Sequence, residues 1–383
     1  MPTELKINSL DLFITEKCNL KCTYCFHKQE DSEMGIEQGR KILSALYEKY
    51  PDKMFINFFG GEPLLYPKTV IALMEYAKTL WQQLTFGIST NGTIFDEELF
   101  QYFLDNKMKM QVSCDGDVAT QNEMRGEAEL VHSNIKKILK YFPKLCVRLT
   151  YTPENVANLY DNVLFLHKLG VKKVMHQAVI EGGWGDDQIL EYHNQYKLLY
   201  HYKRYHRDLE IEFIDKNIRI CNGDQYVAPN FCEAGKTLIA ILPNGDVYPC
   251  HRAASNKIFK LGNILDGKKI IRGVFLNINK HSLNCSKNCP AHLTCHSCIM
   301  VHHIVNNNIQ EPIMQYCKLM MAEFQGAESI KHIDKEDKQN HLLNSMAKVL
   351  VDISTRLEKI ENDKHSTSNS DDNSIDNDIS NST

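Results

Sequence analysis

The chain has 383 residues, enough for one large domain or two ordinary ones with a substantial core. A formal net charge of −4 excludes a global basic field that would recruit nucleic acid or an anionic membrane. The longest apolar runs, such as Thr237–Leu242, are strand-sized, and Met1–Lys6 lacks the basic and apolar stretches of a signal peptide. The expectation is a soluble, cytoplasmic protein.

Strand-like and helix-like segments alternate from residue 7 to residue 180. In chain order they are a strand at Ile7–Ile14, a helix at Gly35–Lys49, a strand at Met54–Phe59 and a helix at Pro67–Trp81. A strand at Leu84–Ser89, a helix at Asp96–Asn106, a strand at Met108–Ser113 and a helix at Ser133–Tyr141 follow. A strand at Leu145–Tyr151, a helix at Glu154–Leu169 and a strand at Lys173–Val179 complete the series. Repeated β-then-α order with short connections predicts parallel βαβ units, as a partial barrel or as a doubly wound sheet. Either arrangement binds ligands at the C-terminal ends of the strands.

A polar helix at Gln188–Arg207 leads into a region of different character. From Cys221 to Cys317 the chain is rich in Cys, His, Asn and Gly, with one hairpin: Leu238–Leu242, a turn at Pro243–Gly245, then Val247–Tyr248. So little hydrophobic periodicity predicts a module stapled by metal. Leu342, Met346, Val349, Ile353, Leu357 and Ile360 recur at helical steps within 335–362. This helix has an apolar face able to pair with a partner, with itself or with its own barrel. Asp363–Thr383 is too polar to fold and is expected to be disordered.

Thirteen cysteines is a high count for a cytoplasmic chain, and their clustering argues for metal or redox chemistry over a disulfide framework. Cys114 and Cys146 sit singly in apolar runs and read as small buried hydrophobes. Cys18-x3-Cys22-x2-Cys25 follows the first strand. Three cysteines can hold three irons of a cubane cluster and leave the fourth iron open. An incomplete zinc site uses the same residues. Phe58-Phe59-Gly60-Gly61-Glu62-Pro63 follows the second strand, where paired glycines permit close backbone approach. The alternative is an ordinary strand-exit turn.

Together these two motifs resemble the radical S-adenosylmethionine (SAM) superfamily. The resemblance implies a partial (β/α)6 TIM-like barrel of α/β class, with the open iron chelating SAM. It also implies electron injection into the sulfonium and a 5′-deoxyadenosyl radical that abstracts a substrate hydrogen. Tyr24 would lie beside the adenine, Gly60 and Gly61 would let the backbone approach SAM closely, and Glu62 would accept from its ammonium. Asn91 in Ser89-Thr-Asn91-Gly92, Ser113 in Val112-Ser113-Cys-Asp115-Gly116, and Arg148 in "VRLTYTPEN" resemble further SAM contacts.

Cys232 to Cys250, "CEAGKTLIAILPNGDVYPC", resembles the opening of a SPASM domain. Downstream, Cys285-x3-Cys289-x5-Cys295-x2-Cys298 and Cys317 keep the central gap of that family and depart by one residue in each flanking gap. The resemblance implies two auxiliary four-iron clusters. Cys232, Cys250 and Cys298, with Cys221, would hold one; Cys285, Cys289, Cys295 and Cys317 would hold the other. Two zinc sites fit the same eight thiolates. The expected organisation is a core barrel at 1–207, a SPASM iron–sulfur module at 208–325, a terminal helix at 326–362 and a tail at 363–383.

SPASM-containing radical SAM enzymes mostly modify peptides or proteins. The expected function is therefore maturation of a ribosomally made precursor peptide, with a thioether or carbon–carbon crosslink. The alternative is an anaerobic sulfatase maturase forming formylglycine. Those enzymes carry an Asp base just after the "YPC" cysteine, where this chain has His251 as its candidate base. "YPCHR", with "KLGNI" at Lys260–Ile264, looks more like the peptide maturases. An electron donor such as ferredoxin or flavodoxin is expected as a partner. Peptide recognition would fall to a separate protein, the SPASM module or the C-terminal helix. Trp184, in "EGGWGDD", is a candidate substrate contact. A non-catalytic metal-stapled scaffold is the reading from outside the enzyme class.

Overall fold

A computed structural model describes residues 6–221, 223, 233–254, 256–267, 289–295 and 298–328. The first half runs β1 (Ser9–Thr15), α1 (Ile36–Lys49), β2 (Lys53–Gly60), α2 (Pro67–Leu80), β3 (Gln83–Thr90), α3 (Glu97–Asp105), β4 (Lys109–Ser113), α4 (Val118–Met124), α5 (Ala128–Tyr141) and β5 (Cys146–Tyr151). It continues with α6 (Leu159–Lys168), β6 (Lys173–Ala178), α7 (Asp186–Tyr205), β7 (Glu210–Ile211), α8 (Glu212–Cys221), β8 (Leu238–Ile241), β9 (Asp246–Tyr248), β10 (Gly262–Asn263) and α9 (Ile299–Asn306). A last described helix, α10, spans 314–328. The helix expected at 335–362, the polar tail, Cys232 and Cys285 lie outside the described residues.

Strands β1 to β6 pair side by side in chain order, all parallel. From β1 to β7 the order never reverses, which distinguishes this sheet from a doubly wound one and makes it a partial barrel. β7 extends the edge beyond β6, and β8 pairs parallel with β1 on the other side. The hairpin expected from Pro243–Gly245 joins β8 to β9, and β10 completes it antiparallel. The C-terminal module thus adds its strands to the barrel's own sheet.

Period-two alternation sorts the side chains. Met54, Ile56 and Phe58 on β2, Met110 and Val112 on β4, and Val147 and Leu149 on β5 are buried. Each such burial contributes roughly 1.5–3 kcal/mol. The intervening residues point the other way. Ser89, Gln111, Ser113, Arg148, Thr150 and Gln177 all line one cavity. Strand register sets them as neighbours, Ser113 opposite Arg148 and Thr150 opposite Gln177.

Four described helices, α4, α8, α9 and α10, were not among the expected segments. α4 is seven residues, VATQNEM, held at its start by Asp117, whose carboxylate accepts from the Thr120 N–H at 2.8 Å. Such a cap contributes about 1 kcal/mol and substitutes for an apolar stripe. α9 is eight residues, too short to display a helical period.

Candidate active site

The C-terminal ends of the barrel strands border a cavity of about 310 Å³. Its walls hold Cys18, Cys22 and Cys25, the inward-pointing strand residues, and His251, Arg252 and Cys298 of the C-terminal module. The trio, the strand-end residues and the first residues after "YPC" therefore meet in one place.

The loop carrying the trio is tied down where it leaves β1. Gly61 N–H donates to the Thr15 carbonyl and Glu62 N–H to the Lys17 carbonyl, each at 2.8 Å. Gly60 has φ of +139°, a conformation that L side chains rarely adopt. A Cβ on Gly61 would stand 1.9 Å from the Lys17 carbonyl oxygen. The paired glycines thus serve close approach between two strand ends, one residue before Cys18.

Glu62 is fully buried and does not line the cavity. Its Oε1 accepts from Leu64 N–H at 3.0 Å and Thr90 Oγ1 at 2.8 Å, and its Oε2 from Asn91 N–H at 2.6 Å. The carboxyl is turned to the exit of β3, so its influence on a ligand runs through Asn91. Burial raises its pKa from 4.5 to about 7, against the pull of those three donors. Between these values the folded chain holds a proton that the unfolded chain has lost, so this group's contribution to stability falls as pH rises from 4.5 to 7. Glu62→Gln places an amide donor against Asn91 N–H. We expect a loss of about 1–3 kcal/mol near neutral pH and a flatter pH profile over that window, measured by denaturant unfolding of the metal-free chain.

Asn91 reaches back to the loop, its Nδ2 donating to Asn19 Oδ1 at 2.8 Å and lying 3.7 Å from Cys18 Sγ. Leu20 N–H points at the same sulfur at 3.5 Å. Ser113 and Arg148 stand side by side on β4 and β5, and Arg148 Nη1 lies 3.8 Å from Met175 Sδ. Burial lowers the Arg148 pKa, with the Arg125 cation adding to the effect. Tyr24 donates through its hydroxyl to Asp115 Oδ2. Burial also pushes its phenol well up.

Two groups in this site carried no sequence signal. Asp11, in the buried first strand, accepts from His251 Nδ1 at 2.7 Å and from Asn57 Nδ2 at 2.9 Å. His251 also stacks on Phe59 at 4.7 Å between ring centroids. The second is Arg125, the residue after α4, whose Nε is 2.9 Å from Asp115 Oδ2. Burial works against the Arg125 charge, but Asp115, Tyr24 and Cys22 outweigh it and raise the pKa.

Trp184 corrects an expectation. It is 3% exposed, donates through Nε1 to the Val179 carbonyl at 2.8 Å, and packs on Tyr151 and Tyr192. Glu181, three residues earlier, pairs with Arg252, which lines the cavity. The Arg252 guanidinium lies 4.5 Å from the Phe26 ring centre.

Of the other cysteines, Cys114 is fully buried, which pushes its thiol up to about 12, and Cys146 is half-buried. Cys250 and Cys298 share an apolar cluster with Ala240, Leu242, Tyr248 and Phe259. Cys221 ends α8, and Cys317 lies on α10 beside α7. Cys289 and Cys295 flank the turn at Pro290–Leu293.

The residues present fit a thiolate-bound cluster. Three thiols border one cavity, and burial raises the Cys18 and Cys22 pKa values, a cost that coordination to a cation removes. N–H groups face the Cys18 and Cys22 sulfurs. At the same wall both nitrogens of the buried His27 ring are without hydrogen-bond partners, Glu16 Oε1 lying 3.6 Å away.

Residues 12–194 match the radical SAM superfamily and residues 232–299 the SPASM iron–sulfur cluster-binding domain. The chain therefore carries a radical SAM domain followed by a SPASM domain. Its cofactors are therefore SAM and a 4Fe–4S cluster, with further iron–sulfur binding in the SPASM domain. It is similar to the S-adenosylmethionine-dependent nucleotide dehydratase RSAD2 of Danio rerio, 32% identical over 136 residues, 35% of this chain. The chain spans only 37% of that relative's length. The antilisterial bacteriocin subtilosin biosynthesis protein AlbA of Bacillus subtilis is 26% identical over 66% of this chain and 56% of its own. Among solved structures, anSMEcpe with bound AdoMet has a TM-score of 0.71 at 20% identity, covering 83% of this chain and 96% of that one. Streptococcus suis SuiB bound to precursor peptide SuiA has a TM-score of 0.58 at 17% identity, covering 82% of this chain and 76% of that one. At these identities the likeness to the solved structures is one of fold.

Proposed function

We propose that this chain is a radical SAM peptide maturase that installs a side-chain crosslink, thioether or carbon–carbon, in a ribosomally made precursor. The carrying observation is the shared cavity: the thiol trio and SPASM residues His251, Arg252 and Cys298 border the same space. A substrate there meets both domains at once. Similarity to AlbA, named for bacteriocin biosynthesis, supports a peptide substrate. The fold likeness to SuiB with its precursor peptide agrees.

Cys18, Cys22 and Cys25 would hold the cluster that binds SAM, and together these cofactors supply hydrogen-atom abstraction. Arg148 and Ser113 offer a cation and a hydroxyl for the SAM carboxylate and ribose. Asn91 joins the glycine turn to the cysteine loop. The remaining SPASM cysteines, Cys221, Cys232, Cys250, Cys285, Cys289, Cys295, Cys298 and Cys317, would hold two auxiliary clusters. His251, oriented by Asp11 at Nδ1, presents Nε2 as a proton acceptor for substrate. A ferredoxin or flavodoxin would supply electrons, a separate recognition protein could deliver the peptide, and a reducing cytoplasm suits so many thiolates. No helix among the described residues is long and apolar enough to cross a membrane.

The test is coexpression with a short Cys-rich or repeat-bearing peptide encoded beside this gene, followed by mass spectrometry. The expected product has lost a pair of hydrogens per crosslink. Conversion of a sulfatase-derived Cys or Ser peptide to formylglycine, with the neighbouring peptide untouched, overturns the proposal. His251→Ala should keep forming 5′-deoxyadenosine while crosslinked product falls at least tenfold, measured by chromatography of both species. Matched loss of both would remove His251 from the substrate step.

A further inference from the structure

Arg125 stands where four elements meet. Its side chain is 9% exposed, and Asp115, its partner at the end of β4, is wholly buried. Nη2 lies 3.4 Å from Thr150 Oγ1 on β5, and the guanidinium lies 5.2 Å from the centre of the Tyr24 ring. Nη1 faces Cys22 Sγ at 3.9 Å. Asp115 is held in turn, its Oδ1 accepting from Thr150 N–H at 2.8 Å and its Oδ2 from the Tyr24 hydroxyl. Just before Arg125, the Met124 carbonyl accepts from Thr23 N–H at 3.0 Å. The cysteine loop is thus joined to the end of α4 at Cys22, Thr23 and Tyr24.

A buried ion pair is weak evidence for stability, because taking both charges out of water offsets their attraction. Setting this one against a cysteine of the trio calls for another reason. Asp115 pairs with the guanidinium by charge at its Nε side, and the two Nη atoms face Thr150 and Cys22. Arg148 adds a second cation nearby. Positive charge and N–H donors at a cluster's sulfurs favour the form carrying the extra electron.

We propose that Arg125, oriented by Asp115, is a positioning residue that anchors the cysteine loop through Cys22 and raises the reduction potential of the cluster bound there. This rests on the trio being cluster ligands, which the iron content and SAM-responsive electron paramagnetic resonance signal of the unmodified chain decide separately.

The test uses anaerobically reconstituted full-length chain as wild type, Arg125→Gln and Arg125→Lys, with iron per chain and the midpoint potential of the SAM-responsive signal as readouts. Arg125→Gln should retain its iron, with the reduction equilibrium shifted at least tenfold toward the oxidised form, about 59 mV for one electron. Arg125→Lys, which keeps the charge, should stay near wild type. Should Arg125→Gln lose the cluster, its retention in Arg125→Lys supports the proposal, and loss from both assigns the residue to packing and overturns it. Full iron with an unchanged midpoint in Arg125→Gln also overturns it, as does an equal fall in both variants.

Discussion

Replacing Cys18, Cys22 and Cys25 together by Ala will abolish 5′-deoxyadenosine formation from SAM and dithionite while the fold and the SPASM iron remain. The fold survives because the loop does not depend on its thiols. Glu16 N–H donates to the Ser32 carbonyl at 2.8 Å, Thr23 N–H to the Met124 carbonyl at 3.0 Å, and Gln29 Nε2 to the Leu20 carbonyl at 2.7 Å. Cys18 and Cys22 are half-buried and Cys25 is exposed, so truncation leaves no large apolar cavity. Iron should fall by about four atoms per chain, the content of one cubane cluster, with far-ultraviolet circular dichroism unchanged. Cleavage of SAM by the triple variant would remove the trio from the site. A fall to zero iron would instead tie the SPASM metal to the loop.

The barrel was readable because its two periods do not compete: alternating strands and apolar-striped helices follow one another with short turns. Each of β1 to β6 appears within two residues of its expected start. Glu62 was harder. A turn motif says that a carboxylate is present, not which way it faces, and here Leu64, Thr90 and Asn91 turn it from the cavity. Trp184 failed for a similar reason, since Tyr192, which receives it, belongs to an edge-packed row of tyrosines on α7, a helix whose burial pattern its polar sequence hides. Asp11 and Arg125 were invisible for a deeper one. Asp11 meets His251 across 240 positions and Arg125 meets Cys22 across 103, and no local spacing encodes such a pairing.

The second large effect is expected from Gly61→Ala, a substitution that touches no proposed SAM contact through a side chain. The added methyl would lie 1.9 Å from the Lys17 carbonyl oxygen and 2.4 Å from its carbon. Both are backbone atoms, so no rotamer relieves the overlap, and the strand ends must separate. Separation breaks Gly61 N–H to Thr15 and Glu62 N–H to Lys17, the two bonds that set where Cys18 begins. Glu62 shifts with its own backbone, loosening its hold on Asn91, which faces Cys18 from the other side. We expect at least a tenfold loss of 5′-deoxyadenosine formation and poor retention of the SAM-site iron, measured on the reconstituted chain. Gly35→Ala is the matched control, because a Cβ there meets nothing within 4 Å and φ is −68°. If Gly61→Ala keeps full iron and wild-type turnover, the glycine is not what spaces the cysteine loop. If it loses both while Gly35→Ala keeps them, the glycine pair acts on the cluster through the backbone of the loop.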